Sequence, residues 1–164
     1  MRFSRGAAYA FLSGFLGLWS AAVHAQGIVL TTTGTYSQNF DSLPASGSAA
    51  WTNGSTLSGW YLERTGTSAW SAVSSVVSGS GSSTSGAVFS FGSGTSTDRA
   101  LGSLGSNGWG TSAYGIEFRN SAVAGTSLTL GTLTYTGEQW RNGGNTSAQP
   151  LSLWYKVSSN DLIS

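Results

Sequence analysis

The stretch that decides the fold is YGIEFRN, residues 114–120. Its apolar side chains alternate with polar ones, so that Tyr114, Ile116 and Phe118 fall on one side. Glu117 and Arg119 fall on the other. A period of two residues is typical of a β-strand that packs one face against a core. The pattern therefore predicts a strand over residues 114–120.

The same pattern recurs along the chain between clusters of glycine, serine and threonine, which favour turns. We expect strands at residues 28–40, 57–64, 69–77, 87–91, 133–141 and 151–158. Residues after the first 25 show no helical periodicity, and glycine interrupts nearly every window. The sequence predicts an all-β fold, an antiparallel β-sandwich that is jelly-roll-like, after an N-terminal signal helix.

A change of register is expected in the fourth quarter of the chain. Leu128 and Leu130 occupy even positions, whereas Leu133 and Tyr135 occupy odd ones. The apolar side chains of a strand move from one face of the sheet to the other only where an extra residue is inserted or the strand stops pairing. The sequence predicts a β-bulge or a strand break at residues 131–132.

Residues 1–25 have the features of a secretory signal peptide. Two arginines, Arg2 and Arg5, precede an uncharged apolar stretch, and a small-x-small pattern ends at Ala25. Cleavage there leaves residues 26–164 as one β-sandwich domain, which we expect to be truncated at its C-terminus because only six or seven strands are counted. The exported chain keeps five basic and six acidic residues, a net charge of −1.

The composition excludes several kinds of chemistry. The chain has no cysteine, and its single histidine, His24, lies in the signal peptide. Thiolate and histidine nucleophilic chemistry and histidine or cysteine metal ligands are therefore absent from residues 26–164. A nearly neutral protein is poorly suited to bind nucleic acid, and no basic amphipathic helix indicates a membrane surface. We expect no cofactor.

One predicted sheet face carries the candidate site. If the strands at residues 114–120, 133–141 and 151–158 are neighbours, one face holds Glu117, Arg119, Glu138, Trp140, Trp154 and Lys156. Arg141 points inward at the rim of the sandwich, where it is expected to satisfy carbonyls or a carboxylate. Indole rings stack on the apolar faces of sugar rings, and charged groups bind sugar hydroxyls. A second interpretation is a solvated face with cross-strand ion pairs.

Other candidates have simpler interpretations. Trp51, Trp60 and Trp70 are expected in the core. Asp98 and Asp41 are compatible with Ca²⁺ ligation, but a local salt bridge or a turn stabilised by the aspartate is the simpler prediction. Glu117 and Glu138 also form the only pair of carboxylates that a glycosidase mechanism could use. With so few acids in a chain of this size, we expect no enzyme.

Five blocks of sequence, in order, resemble one family. They are YSQNFDSLP at 36–44, WTNGSTLSGWY at 51–61, GAVFSFGSGTSTDRALGSL at 86–104, YGIEFRN at 114–120 and YTGEQWRNGG at 135–144. Together they resemble the N-terminal β-sandwich module of exported bacterial proteins of the PEP-CTERM sorting class. The resemblance implies secretion or a place in the envelope of a Gram-negative bacterium, and it supplies no catalytic residues.

These observations predict a secreted, non-enzymatic β-sandwich protein of the bacterial envelope or extracellular matrix. Its expected ligand is polysaccharide, bound by Trp140, Glu138, Trp154 and Glu117. The alternative is an accessory module of a larger secreted hydrolase or nuclease whose catalytic part lies elsewhere.

Overall fold

The computed structural model describes residues 27–31, 34–120, 127, 129–144 and 146–158, and nine β-strands lie within them. The predicted signal helix lies outside this part of the chain. The strands are β1 (Ile28–Leu30), β2 (Ser48–Ala50), β3 (Trp60–Arg64), β4 (Ser71–Ala72), β5 (Ser75–Gly79), β6 (Ala87–Phe91), β7 (Ala100–Leu104), β8 (Ser112–Ile116) and β9 (Phe118–Asn120). No helix occurs in these ranges, which confirms the predicted all-β fold.

The strands form three sheets. One has the order β2-β5-β6-β7, a second has the order β4-β3-β8, and β1 pairs with β9. Most neighbours are antiparallel, as expected, but β5 with β6 and β1 with β9 are parallel. Two consecutive strands can pair in parallel only if the chain between them runs back to the end at which the first strand began. Residues 80–86 make this connection between β5 and β6, and we call them the β5–β6 loop.

A single hydrophobic core joins the two larger sheets. Leu62 of β3 is fully buried, and Val76 of β5 and Val88 of β6 are each only 1% exposed. Burying an aliphatic side chain of this size stabilises the fold by about 1.5–3 kcal/mol. Loop residues close the same cluster, notably Leu43 and Trp51. The three-stranded and four-stranded sheets therefore pack across one core.

Residues 114–120 belong to two strands rather than one. β8 pairs with β3, and β9 pairs with β1. The change of partner occurs at Glu117, whose backbone nitrogen donates to the Gly59 carbonyl at 2.9 Å. Its own carbonyl accepts from the Ile28 nitrogen at 2.8 Å. The predicted alternation is correct, and Glu117 is the point at which the chain passes from one sheet to another.

The predicted strands at residues 133–141 and 151–158 are wrong. The structure assigns no strand to either range, and their apolar side chains are exposed, including Leu133, Leu151 and Leu153. Alternation alone does not make a strand, because each strand needs a neighbour to bind its backbone groups. The break predicted at residues 131–132 consequently has no strand to interrupt. Residues 146–158 are called the C-terminal segment below.

Within the described ranges, no helix is long and apolar enough to span a membrane.

Candidate functional site

Glu117 does not belong to an exposed face. Its side chain is only 4% exposed, and it accepts hydrogen bonds from the Tyr61 hydroxyl at 3.0 Å and from Arg119 Nε at 2.9 Å. The backbone at Gly27 also covers it, since a Cβ there would lie 2.9 Å from Glu117 Cγ. The prediction that Glu117 contacts a ligand from a solvated face is therefore wrong. Glu117 lies on the side away from Tyr114, as the alternation predicts, but Tyr61, Arg119 and Gly27 cover it.

Trp140 and Glu138 do lie together. The indole of Trp140 donates from Nε1 to Glu138 Oε2 at 2.9 Å. Its ring stacks on Phe91 of β6, with centroids 5.8 Å apart and planes 9° from parallel. One face of the indole is therefore occupied by Phe91, and its N–H is bound by Glu138. Trp140 is held in a fixed orientation, with at most one ring face left for a ligand.

Arg141 fixes the same segment to the β5–β6 loop. Its Nη1 donates to the carbonyl of Ser83 at 2.6 Å and to that of Ser82 at 3.2 Å. Gly81 lies so close to the Trp140 carbonyl that a Cβ at residue 81 would clash with it, and its φ of +86° also favours glycine. The prediction that Arg141 satisfies carbonyls is confirmed, although its side chain is exposed rather than directed into the core.

Trp154 is the most exposed indole of the described residues. It is 87% exposed on the C-terminal segment, next to Tyr155, which is 93% exposed. Neither side chain is packed into the core. The four predicted site residues therefore fall into three places: Glu117 is buried at the β8–β9 junction, Glu138 and Trp140 lie against β6, and Trp154 is free in solvent.

The three N-terminal tryptophans differ from one another. Trp51 is buried, and its Nε1 donates to Asn53 Oδ1 at 2.8 Å. Trp60 packs edge-to-face against Phe40 beside the core. Both positions confirm the expectation, but Trp70 is 53% exposed. Sequence reasoning missed Trp70 because its local pattern resembles that of its buried neighbours.

The carboxylate of Asp41, a candidate Ca²⁺ ligand, has two hydrogen-bond partners. Asp41 Oδ1 accepts from the Arg99 backbone nitrogen at 3.2 Å, and Oδ2 accepts from Asn39 Nδ2 at 2.6 Å. The carboxylate of Asp41 therefore joins its own turn to the distant backbone at Arg99, and the side chain that accepts within the turn is that of Asn39, whose Oδ1 accepts from the Asp41 nitrogen at 3.2 Å. Among the described residues, no group of three metal-ligating side chains is found. Glu117 and Glu138, the candidate glycosidase pair, belong to separate hydrogen-bond networks.

Comparisons with protein-family models, with curated proteins and with solved structures gave no match. The resemblance to the PEP-CTERM sorting class thus stays a prediction from the five sequence blocks.

Proposed function

We propose that this chain is a non-enzymatic binding module of an exported protein of the bacterial envelope or extracellular matrix, and that it binds polysaccharide through its C-terminal aromatic side chains. The observation that carries the proposal is the exposure of Trp154 at 87%. An exposed indole keeps its apolar faces in water. Stacking on the face of a sugar ring removes that apolar area from water, which is favourable.

The neighbouring residues support the same ligand class. Tyr155 follows Trp154 and is 93% exposed, and Tyr135 is 63% exposed. Tyrosine and tryptophan offer flat apolar surface together with a polar group that binds hydroxyls. A linear polysaccharide presents both features repeatedly, so several aromatic side chains can bind one polymer chain.

Trp140 contributes differently from Trp154. Its ring is already oriented by Phe91 and Glu138, so little side-chain freedom is lost when a ligand binds. Because one ring face is covered, Trp140 supports binding from one side only. We therefore expect Trp154 to contribute more of the affinity than Trp140.

The experiment is retention of the purified protein on insoluble polysaccharides, namely cellulose, chitin and the matrix polysaccharide of a Gram-negative bacterium. We expect Trp154→Ala to lose most of the retention and Trp140→Ala to lose part of it. Ser152→Ala, a polar change on the same segment, serves as the matched control. Equal retention of the wild type and both tryptophan variants would refute the proposal, and so would failure of the wild type to bind any of the three.

A further inference from the structure

The outward face of the β4-β3-β8 sheet carries a carboxylate without a partner. Glu63 lies on β3, the central strand, and its cross-strand neighbours are Ala72 on β4 and Ala113 on β8. Glu63 is half-buried, whereas both alanines are exposed. Within the part of the chain that the structure describes, the Glu63 side chain makes no hydrogen bond and no ion pair. A half-buried carboxylate without a partner is unfavourable unless a ligand or solvent binds it.

The adjacent arginine does not neutralise Glu63. Successive residues of a strand point to opposite faces, so Arg64 points away from Glu63. Its guanidinium lies over the Trp109 ring, with Cζ 4.6 Å from the ring centroid, and Nη1 donates to the Gly108 carbonyl at 3.3 Å. Arg64 is thereby engaged on the other side of the sheet.

An exposed indole lies on the same side of the sheet as this carboxylate. Trp70 comes directly before β4 and is 53% exposed. Residues two apart in an extended chain share a face, so Trp70 lies on the side of Ala72 and hence of Glu63.

The turn that carries Trp70 is fixed to the rest of the fold. Thr65 donates its backbone N–H to the Thr111 carbonyl at 2.9 Å, and Gly66 donates to the Trp109 carbonyl at 3.0 Å. Thr111 in return donates to Thr65 Oγ1 at 3.0 Å. These bonds hold the start of the turn, and β4, which follows Trp70 directly, is paired with β3. The backbone on both sides of Trp70 is thus held before a ligand arrives, which lowers the entropy lost on binding.

We propose that Glu63 and Trp70 form a binding site for a neutral sugar. The indole stacks on the C–H face of a pyranose, and the two carboxylate oxygens accept hydrogen bonds from its hydroxyls. The methyl groups of Ala72 and Ala113 leave room on both sides of Glu63. The charge of Glu63 disfavours uronic acids and sulfated sugars, because a second anion would lie beside it. The site shares its ligand class with the proposed function but none of its residues.

The test separates the two sites by using a protein that carries Trp140→Ala and Trp154→Ala as the background. Calorimetric titrations use cellohexaose, laminarihexaose and maltohexaose as neutral probes, and hexagalacturonate as the acidic comparison. At least one neutral probe is expected to bind the background protein. Trp70→Ala is expected to weaken that binding at least about tenfold, and Glu63→Gln about fivefold. Ser71→Ala is the matched control, since Ser71 is exposed next to Trp70 but on the opposite side.

Several results would overturn the proposal. They are no binding of any neutral probe at millimolar concentration, unchanged binding in Trp70→Ala or in Glu63→Gln, and tighter binding of hexagalacturonate than of the neutral probes. Circular dichroism of each variant verifies that the fold is retained. The background protein lacks both C-terminal indoles, so failure here leaves the proposed function standing if the wild type binds polysaccharide.

Discussion

Replacing Glu117 by alanine tests the conclusion that this residue is structural. The substitution removes the acceptor of the Tyr61 hydrogen bond and the partner of Arg119. A hydrogen bond to a charged group contributes about 1.5–3 kcal/mol net. The Arg119 side chain is 28% exposed, so its ion pair is partly solvated and adds only about 1 kcal/mol. We expect Glu117→Ala to lower the free energy of unfolding by about 2.5–4 kcal/mol.

The assay is urea-induced unfolding followed by tryptophan fluorescence, with the free energy extrapolated to water. Glu138→Ala is the matched control, because Glu138 is an exposed glutamate whose partner, Trp140, is also accessible. We expect the control to change the free energy by less than about 0.5 kcal/mol. Equal effects of the two substitutions would refute the reasoning. So would a Glu117→Ala variant that unfolds like the wild type but no longer binds polysaccharide.

Three further predictions follow from the packing. Gly81→Ala should release Trp140 from Phe91 and weaken the near-ultraviolet circular dichroism of the stacked rings. Gly94→Ala is the control, because Gly94 also has a positive φ but has nothing within 4 Å of a new Cβ, and it should leave this signal unchanged. Burial, partly offset by nearby serine hydroxyls, raises the pKa of Tyr114 to about 12. The folded state therefore keeps this proton after the unfolded state has lost it. Stability should fall as the pH rises from about 10 to 12, by up to about 1.4 kcal/mol per pH unit, and Tyr114→Phe should remove this component in alkaline unfolding curves. Leu153→Ser should reduce the fluorescence of a bound hydrophobic dye, because Leu153 is 67% exposed, and unchanged dye binding would contradict this.

Two stretches near the core could be predicted from the sequence because their signal is local, whereas β7, which pairs with β6, is not among the predicted strands. Residues 87–91 form β6 with the predicted bounds, and residues 114–120 contain the end of β8 and the whole of β9. In residues 114–120 the predicted apolar side faces the core, whereas β6 buries consecutive residues and therefore both of its faces. Val88 and Phe89 are both buried, and Tyr114 packs against the core. Periodicity predicts a strand well where a core exists to receive its apolar face.

The C-terminal segment shows where the same reasoning fails. Leu151, Leu153 and Val157 alternate as clearly as the apolar residues of β8, yet all three are exposed. Pairing depends on which neighbour is available in three dimensions, and periodicity does not contain that information. The prediction that the site residues share one sheet face is wrong for the same reason, because it assumed that three strands were neighbours.

Glu117 and Trp70 mark a second limit of sequence reasoning. The alternation placed Glu117 opposite Tyr114 correctly, but it could not show that Tyr61 and Arg119 bury its carboxylate. The sequence around Trp70 is similar in composition to the sequences around Trp51 and Trp60. In the structure, however, Trp70 follows the turn between β3 and β4 and is exposed. Which face is covered is a property of the tertiary structure.

The proposed function rests on direct contact between Trp154 and polysaccharide, and quenching of tryptophan fluorescence by acrylamide measures that contact. At 87% exposure, Trp154 should be the indole that the quencher reaches most readily among those described. Saturating polysaccharide should protect the wild type from quenching clearly more than it protects Trp154→Ala, which keeps only the protection given at its other indoles. Equal protection of both proteins, or no protection of the wild type, would contradict the account.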